Sequence, residues 1–283
     1  MKILILGGSG MLGHKVYKIF KSETKFKIYT SFRVPNLKKY EKYKIFDKQD
    51  CLFSCDVLFY KSLERKIKRI KPGVIINCIG LTKPHVKDYV ETIEINSCFP
   101  HRLAKTSQKI RAKLIHISTD CVFSGEKGCY SIEDNPDPID LYGRSKLLGE
   151  VGYGKHLTIR TSMFGRELSS RFLFLEWFLS QKTEITGFDK VFFSGLTTTE
   201  IANVLLKLVK RFPKVSGIIH LAGERISKYK LLCLLRKKYG KDMRIKRDSS
   251  FFCDRSLVAD EIFVKKIKIP PIEKMIEKEA NNC

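Results

Sequence analysis

Apolar residues along this chain fall into short unbroken runs, separated by segments in which they recur every three or four positions. Lys2–Leu6 carries four consecutive aliphatic residues, the pattern of a strand buried on both faces in a parallel sheet. Met11–Lys21 then places Leu12, Val16, Ile19 and Phe20 on one face and predicts a helix. The alternation repeats. Further strands are expected at Lys27–Thr30, Cys51–Val57, Val74–Cys78, Lys113–Ser118 and His156–Arg160, with helices at Ser62–Ile70, about Tyr89–Gln108 and Tyr142–Glu150. Pro72 and Gly73 close one helix, and Pro136 and Pro138 mark Gly125–Leu141 as a loop. Strict alternation of this kind predicts an α/β fold with a doubly wound parallel sheet. Beyond Thr161 it loosens into helices at Glu167–Gln181 and Thr197–Phe212, a short strand at Gly217–Leu221, and a basic, helical remainder finishing in Pro270 and Pro271.

Composition narrows the class. An apolar fraction of 43% supplies an ample core. No run approaches the roughly 18–20 apolar residues that a membrane helix needs, and Ile3–Leu6 is too short for a secretory signal. A cytoplasmic location away from the membrane is therefore expected. The nine cysteines contain no CxxC pair, and the histidines show no ligand spacing, so reduced thiols and no metal site are expected. The net charge of +24 is attractive to polyanions in principle. Its basic residues are spread over Lys38–Lys44, Arg65–Lys71, Arg236–Arg247 and Lys265–Lys268 and accompany no nucleic-acid motif. Solvated helix faces account for them, and no nucleic-acid partner is expected.

Candidate chemistry begins at Gly7-Gly-Ser-Gly-Met-Leu-Gly13, between the first strand and the first helix. The spacing of Gly7, Gly10 and Gly13 suits a tight turn, close approach of a pyrophosphate to the backbone and helix-on-strand packing. The helix N-terminus adds free N–H groups and positive potential. At the end of the second strand, where an acid would read the ribose of NAD, the sequence is Thr30-Ser-Phe-Arg33, with no acid until Glu41. Arg33 suits a 2′-phosphate, which favours NADPH, with NADH as the alternative.

Three further pieces follow in order: Asn77-Cys-Ile-Gly80 at the end of the fourth strand, Ser118-Thr-Asp120 at the end of the fifth, and Tyr142-Gly-Arg-Ser-Lys146 opening a helix. Tyr142 and Lys146 share one helix face. A nearby ammonium favours phenolate and lowers a tyrosine pKa from near 10, so the pair can exchange a proton with a carbonyl or carbinol oxygen held by Thr119. The same spacing at Tyr17–Lys21 and Tyr40–Lys44 lacks this position after a strand ending in Ser-Thr.

With these residues in place, the chain resembles the extended short-chain dehydrogenase/reductase superfamily, and within it the dTDP-4-dehydrorhamnose reductase family. The matching segments are GGSGMLG, VIINCIG, HISTDCVFSG, DLYGRSKLLGE and IRTSMFG, across about residues 1–165. The resemblance implies a Rossmann-type domain at 1–162 with a return segment at 196–222, and a smaller α+β substrate-binding cap at 163–195 and 223–283. It implies reduction of the C4 ketone of a nucleotide-linked 4-keto-6-deoxyhexose in cell-surface polysaccharide precursor synthesis, and it allows a homodimer, since the family includes dimers. Thr119, Tyr142 and Lys146 match the catalytic positions. Gly7, Gly10, Met11, Leu12, Gly13, Arg33, Asp56, Val57, Cys78, Ile79, Gly80 and Asn96, with Tyr142 and Lys146, match the cofactor contacts. Lys83, Asp120, Cys121, Arg160 and Ser162 match the substrate side. Cys121 stands where the family usually has tyrosine, which alters the contact near the sugar. Leu175–Gln181 with Phe192–Leu196 resembles reductases of UDP-linked acetamido-deoxy sugars. Related dehydratases carry Thr-Asp-Glu, whose second acid is missing here. An NAD-dependent 4-epimerase and a non-catalytic NADP-binding regulatory subunit are the alternatives on the same fold.

Overall fold

The computed structural model describes residues 1–86, 88–168 and 172–281. A seven-stranded sheet, all of whose neighbours pair in parallel, forms its centre. The strands are β1 (Lys2–Leu6), β2 (Lys27–Ser31), β3 (Cys51–Leu52), β4 (Val74–Asn77), β5 (Lys113–Ile117), β6 (Leu157–Arg160) and, after two short strands β7 (Met163–Phe164) and β10 (Leu196–Thr197), β11 (Gly217–His220). Their spatial order is β11-β6-β5-β4-β1-β2-β3. The chain reverses its direction of growth between β1 and β4, which places a crevice at the carboxyl ends of those strands.

The sheet is a Rossmann-type α/β fold because both its faces are apolar. Ile3 and Ile5 of β1 point to one face and join Val16 and Phe20 of α1 (Gly13–Glu23). Leu4 and Leu6 point to the other and join Leu63 and Ile67 of α2 (Tyr60–Ile70). Next come α3 (Tyr89–Ile93) and α4 (Phe99–Lys109), and α4 packs on the second face through Leu103 and Ala104. α5 (Leu141–Leu148) precedes β6, and α7 (Thr198–Arg211) covers the first face with Val204, Leu205 and Leu208. Those faces bury every residue of β4 and β6, so β4 reads as an apolar run through Ile76, while β6 buries Thr158 and Arg160 between and after its aliphatic residues.

The remaining elements form the smaller α+β part: α6 (Phe174–Ser180), β8 (Glu184–Phe188), β9 (Val191–Phe193), β12 (Ile226–Ser227), α8 (Lys228–Lys238), β13 (Arg244–Asp248), β14 (Cys253–Asp254) and α9 (Ile272–Asn281). β9 lies between β12 and β14, and β13 pairs with β8.

Several sequence expectations are corrected. The third strand stops at Leu52, because Ser54 turns into the left-handed region at φ +51 and Asp56 caps a short turn at Val57–Phe59. The helix from Tyr89 is interrupted by a π turn at Glu94–Cys98. The helix expected at Glu167–Gln181 is confined to α6; Ser169, Ser170 and Arg171 of that range lie outside the described residues. The basic tail contains the strand β13 as well as helix, and α9 follows Pro271. No helix among the described residues is long and apolar enough to cross a membrane. The eight described cysteines are free.

Candidate active site

A cleft of about 580 Å³ opens at the carboxyl ends of β1, β4 and β5. Its floor is the bend between β1 and α1. Gly7 has φ +84, donates its N–H to Ser31 Oγ at 3.1 Å, and accepts the N–H of Gly10 at 3.0 Å. A Cβ on Gly13 would stand 2.0 Å from the Gly7 carbonyl oxygen, and one on Gly8 2.2 Å from Thr30 Oγ1. A side chain is thus excluded at Gly13 by the closeness of the backbone itself and at Gly8 by the buried Thr30 hydroxyl. Gly10, Met11 and Leu12 line the cleft, while Gly7 and Gly13 shape the bend beneath them. A narrow glycine turn running into a helix N-terminus fits the phosphates of a dinucleotide. Arg33 lies exposed at the rim and lines the same cleft, and no acid among the described residues pairs with it.

Cys78, Ile79 and Gly80 continue the wall after β4, and Thr119, Asp120 and Cys121 after β5. Tyr142 and Lys146 face them from α5. That helix is started by Asp140, whose Oδ1 accepts the Gly143 N–H at 2.8 Å. Gly143 is pressed so close to the preceding wall that a Cβ there would meet the Cys121 carbonyl oxygen at 2.1 Å. The structure therefore brings all three expected catalytic side chains to one wall.

Their electrostatics differ from the expectation that the ammonium lowers the phenol. Lys146 is 4% exposed, and its Nζ donates to the Ile117 carbonyl at 2.7 Å and approaches His116 Nε2 at 3.4 Å. Burial pushes its pKa down to about 8, opposed by Glu150 and Cys78. Burial pushes the Tyr142 phenol up, the neighbouring Cys121, Asp120 and Asp140 add to this, and Thr119 acts the other way. His116 stays neutral, held well below its ordinary value by burial and by Lys146. This histidine was not anticipated; its only sequence signal is its place in β5, two residues before Ser118.

On the substrate side, Lys83, Asp120, Cys121 and Ser162 line the cleft. Lys83 Nζ pairs with Asp140 Oδ2 at 2.7 Å across the mouth. The Cys121 thiol is pushed up to about 12 by burial, so it stays protonated. Four expected contacts lie elsewhere. Arg160 is turned away: its Nε and Nη2 grip Glu150 at 2.9 and 2.8 Å, because that buried carboxylate requires a cation. Asn96 is buried, accepting from Leu81 N at 2.8 Å and donating to Leu81 O and Ser145 Oγ, each at 3.1 Å. It clamps the turn after β4 to α5 rather than lining the cleft. Asp56 spends its Oδ1 on the Leu58 N–H, and Val57 is core. Leu81, Thr82, Pro84, His85, Glu167, Leu168, Leu173 and Phe174, which the sequence motifs did not mark, also line the cleft. Among the described residues no group of three or more His, Cys, Asp or Glu could hold a metal ion.

Comparisons with known proteins bear on the family and the fold. The family described as RmlD substrate binding domain matches residues 1–250. Methionine adenosyltransferase 2 subunit beta of Rattus norvegicus is 27% identical over 254 residues, covering 83% of this chain and 71% of that protein. A dTDP-4-dehydrorhamnose reductase of Aggregatibacter actinomycetemcomitans is 27% identical over 243 residues, covering 79% and 74%. The crystal structure of dTDP-4-dehydrorhamnose reductase from Bacillus anthracis in complex with NADP superposes with a TM-score of 0.81 at 22% identity, over 99% of both chains, and shares the fold.

Proposed function

The chain belongs to the RmlD substrate binding domain family, within the extended short-chain dehydrogenases/reductases, and on that premise we propose that it is an NADPH-dependent reductase. Its substrate is the C4 ketone of a nucleotide-linked 4-keto-6-deoxyhexose, with UDP-linked acetamido-deoxy sugars as the second group to test. The observation that carries this reading is the meeting of Thr119, Tyr142 and Lys146 on one wall of a cleft floored by the glycine bend. The bend receives the pyrophosphate, and Arg33 receives the 2′-phosphate. The relatives support the choice, since the Bacillus anthracis neighbour holds NADP.

The residues divide the work by their chemistry. Bound in the cleft, NADPH supplies hydride. The raised pKa of Tyr142 keeps its proton in place until the carbonyl oxygen gains charge. Thr119 donates a hydrogen bond to that oxygen and orients it. Lys146, with a pKa near 8, is a much readier proton source toward a phenolate than an ordinary lysine.

The test is NADPH absorbance with a panel of 4-keto nucleotide sugars, for wild type and Tyr142→Phe. Consumption with at least one sugar and a loss of about a hundredfold or more in the variant are expected. Equal turnover by both proteins removes the proton-transfer role. The likeness to methionine adenosyltransferase 2 subunit beta favours a second reading, a non-catalytic regulatory subunit. It predicts NADPH binding without consumption against the whole panel, whatever residue stands at 142.

A further inference from the structure

Cys121, where related chains carry tyrosine, is flanked by two cations supplied from the C-terminal part of the chain. Arg255 donates from Nε to the Phe123 carbonyl at 2.9 Å and brings Nη1 to 4.0 Å from Cys121 Sγ. Lys228 places Nζ 3.9 Å from the centre of the Phe193 ring and 4.7 Å from that of Phe174, a residue of the cleft lining. Both cations lie close enough to Asp120, Cys121 and Cys253 for those groups to bear on their ionisation. Neither forms an ion pair among the described residues, and no described acceptor takes a hydrogen bond from Lys228 Nζ. Lys228 is moreover the first residue of α8, begun by Ser227, so its charge opposes the helix dipole. Two aromatic faces flank this half-buried ammonium but leave its three N–H donors without a described acceptor. Asp120 bears on both cations, while Asp140, which bears on Arg255, is already paired with Lys83 at 2.7 Å, so two cations share one carboxylate that forms no ion pair among the described residues.

We infer that Lys228 and Arg255 form an oxyanion subsite for the nucleotide sugar at the Cys121 end of the cleft, a step that rests on the substrate class proposed above. The shared chemistry is that of a phosphoryl or carboxylate oxygen taking charge-assisted hydrogen bonds. The source is either the diphosphate or an acidic group on the sugar.

Calorimetric titration of the full chain, saturated with NADP⁺ so that the glycine bend is filled, separates these cases. The probes are UDP, UDP-glucose and UDP-glucuronate, and the proteins are wild type, Lys228→Met, Lys228→Arg and Arg255→Met. Weakening of UDP by about tenfold or more in both methionine variants, with recovery in Lys228→Arg, assigns the diphosphate to the subsite. Unchanged UDP affinity with a comparable loss confined to UDP-glucuronate assigns a sugar carboxylate. Lys228→Met is expected to melt close to wild type, because Lys228 forms no ion pair among the described residues and methionine keeps an apolar stem against Phe174 and Phe193. Unchanged affinities for all three probes in both methionine variants overturn the subsite, as does a wild type that binds none of them at millimolar concentration. A lowered melting temperature with unchanged affinities shows Lys228 to be structural. NADPH oxidation, followed separately, reports on the reductase reading: a chain that consumes no NADPH but still needs Lys228 for UDP retains the subsite and loses that reading.

Discussion

Two groups one helical turn apart, Lys146 buried and Tyr142 half-buried, are displaced toward their neutral forms, and this determines what each can do. The Lys146 ammonium is penalised by burial and titrates near 8, while the Tyr142 phenol is held protonated by burial and by the negative groups near it. The displacement is also a statement about stability. Lysine titrates near 10.4 in an unfolded chain. Between pH 8 and that value the unfolded state binds the proton that the folded state has released, so stability rises with pH across the window. Tyr142 works in the opposite sense, and only from about pH 10 upward. Urea midpoints of wild type and Lys146→Met, measured from pH 7.5 to 9.5, should therefore diverge. Wild type gains on the variant by up to one proton's worth of slope, on top of the constant loss of the bond to Ile117. Parallel curves would mean that Lys146 is not desolvated.

At the scale of the element, the positions of these groups depend on the turn after β4. Asn96, on the π turn between α3 and α4, ties both backbone groups of Leu81 and the Ser145 hydroxyl together. Gly80 lies so close that a Cβ there would be 3.3 Å from Asn96 Oδ1 and 3.6 Å from Lys146 Nζ. Asn96→Ala removes three buried hydrogen bonds and leaves their partners unsatisfied, which should cost about 2 to 4 kcal/mol. It should also weaken NADPH, because the cleft wall loosens; chemical denaturation and a fluorescence titration check the two effects. The sequence announces the strands, the glycine bend and the Tyr142–Lys146 pair, because apolar periodicity and glycine spacing are local signals. It does not announce that Asn96 is a clamp or that Arg160 serves Glu150, since both depend on which buried group lies across the fold. The early end of β3 is invisible for a related reason: nothing about a serine at 54 foretells a positive φ. Just ahead of α6, Glu167 accepts the Leu173 N–H at 2.9 Å, a side-chain contact that no local pattern announces.

For the whole molecule, the question is whether the dinucleotide half and the cap unfold as one body. One apolar cluster holds Ile3 and Val16 of the first half together with Leu231, Ile272 and Met275 of the last. At its edge Lys15 of α1 meets Glu279 of α9 at 3.3 Å, with both side chains buried. The same carboxylate accepts the Thr199 N–H at 3.1 Å at the start of α7. Glu279 thus joins the helix behind the glycine bend, the helix after β10 and the last helix of the chain. Glu279→Ala removes this buried acceptor and one partner of Lys15, which should cost about 1 to 3 kcal/mol. Because the cluster is continuous, that loss should lower a single unfolding transition rather than detach the C-terminal part. Calorimetry and NADPH affinity should then fall together. Two separated transitions, with the lower one sensitive to residue 279 and the upper one to NADPH, would mean that the cap is an independent domain and that α9 merely leans on the sheet.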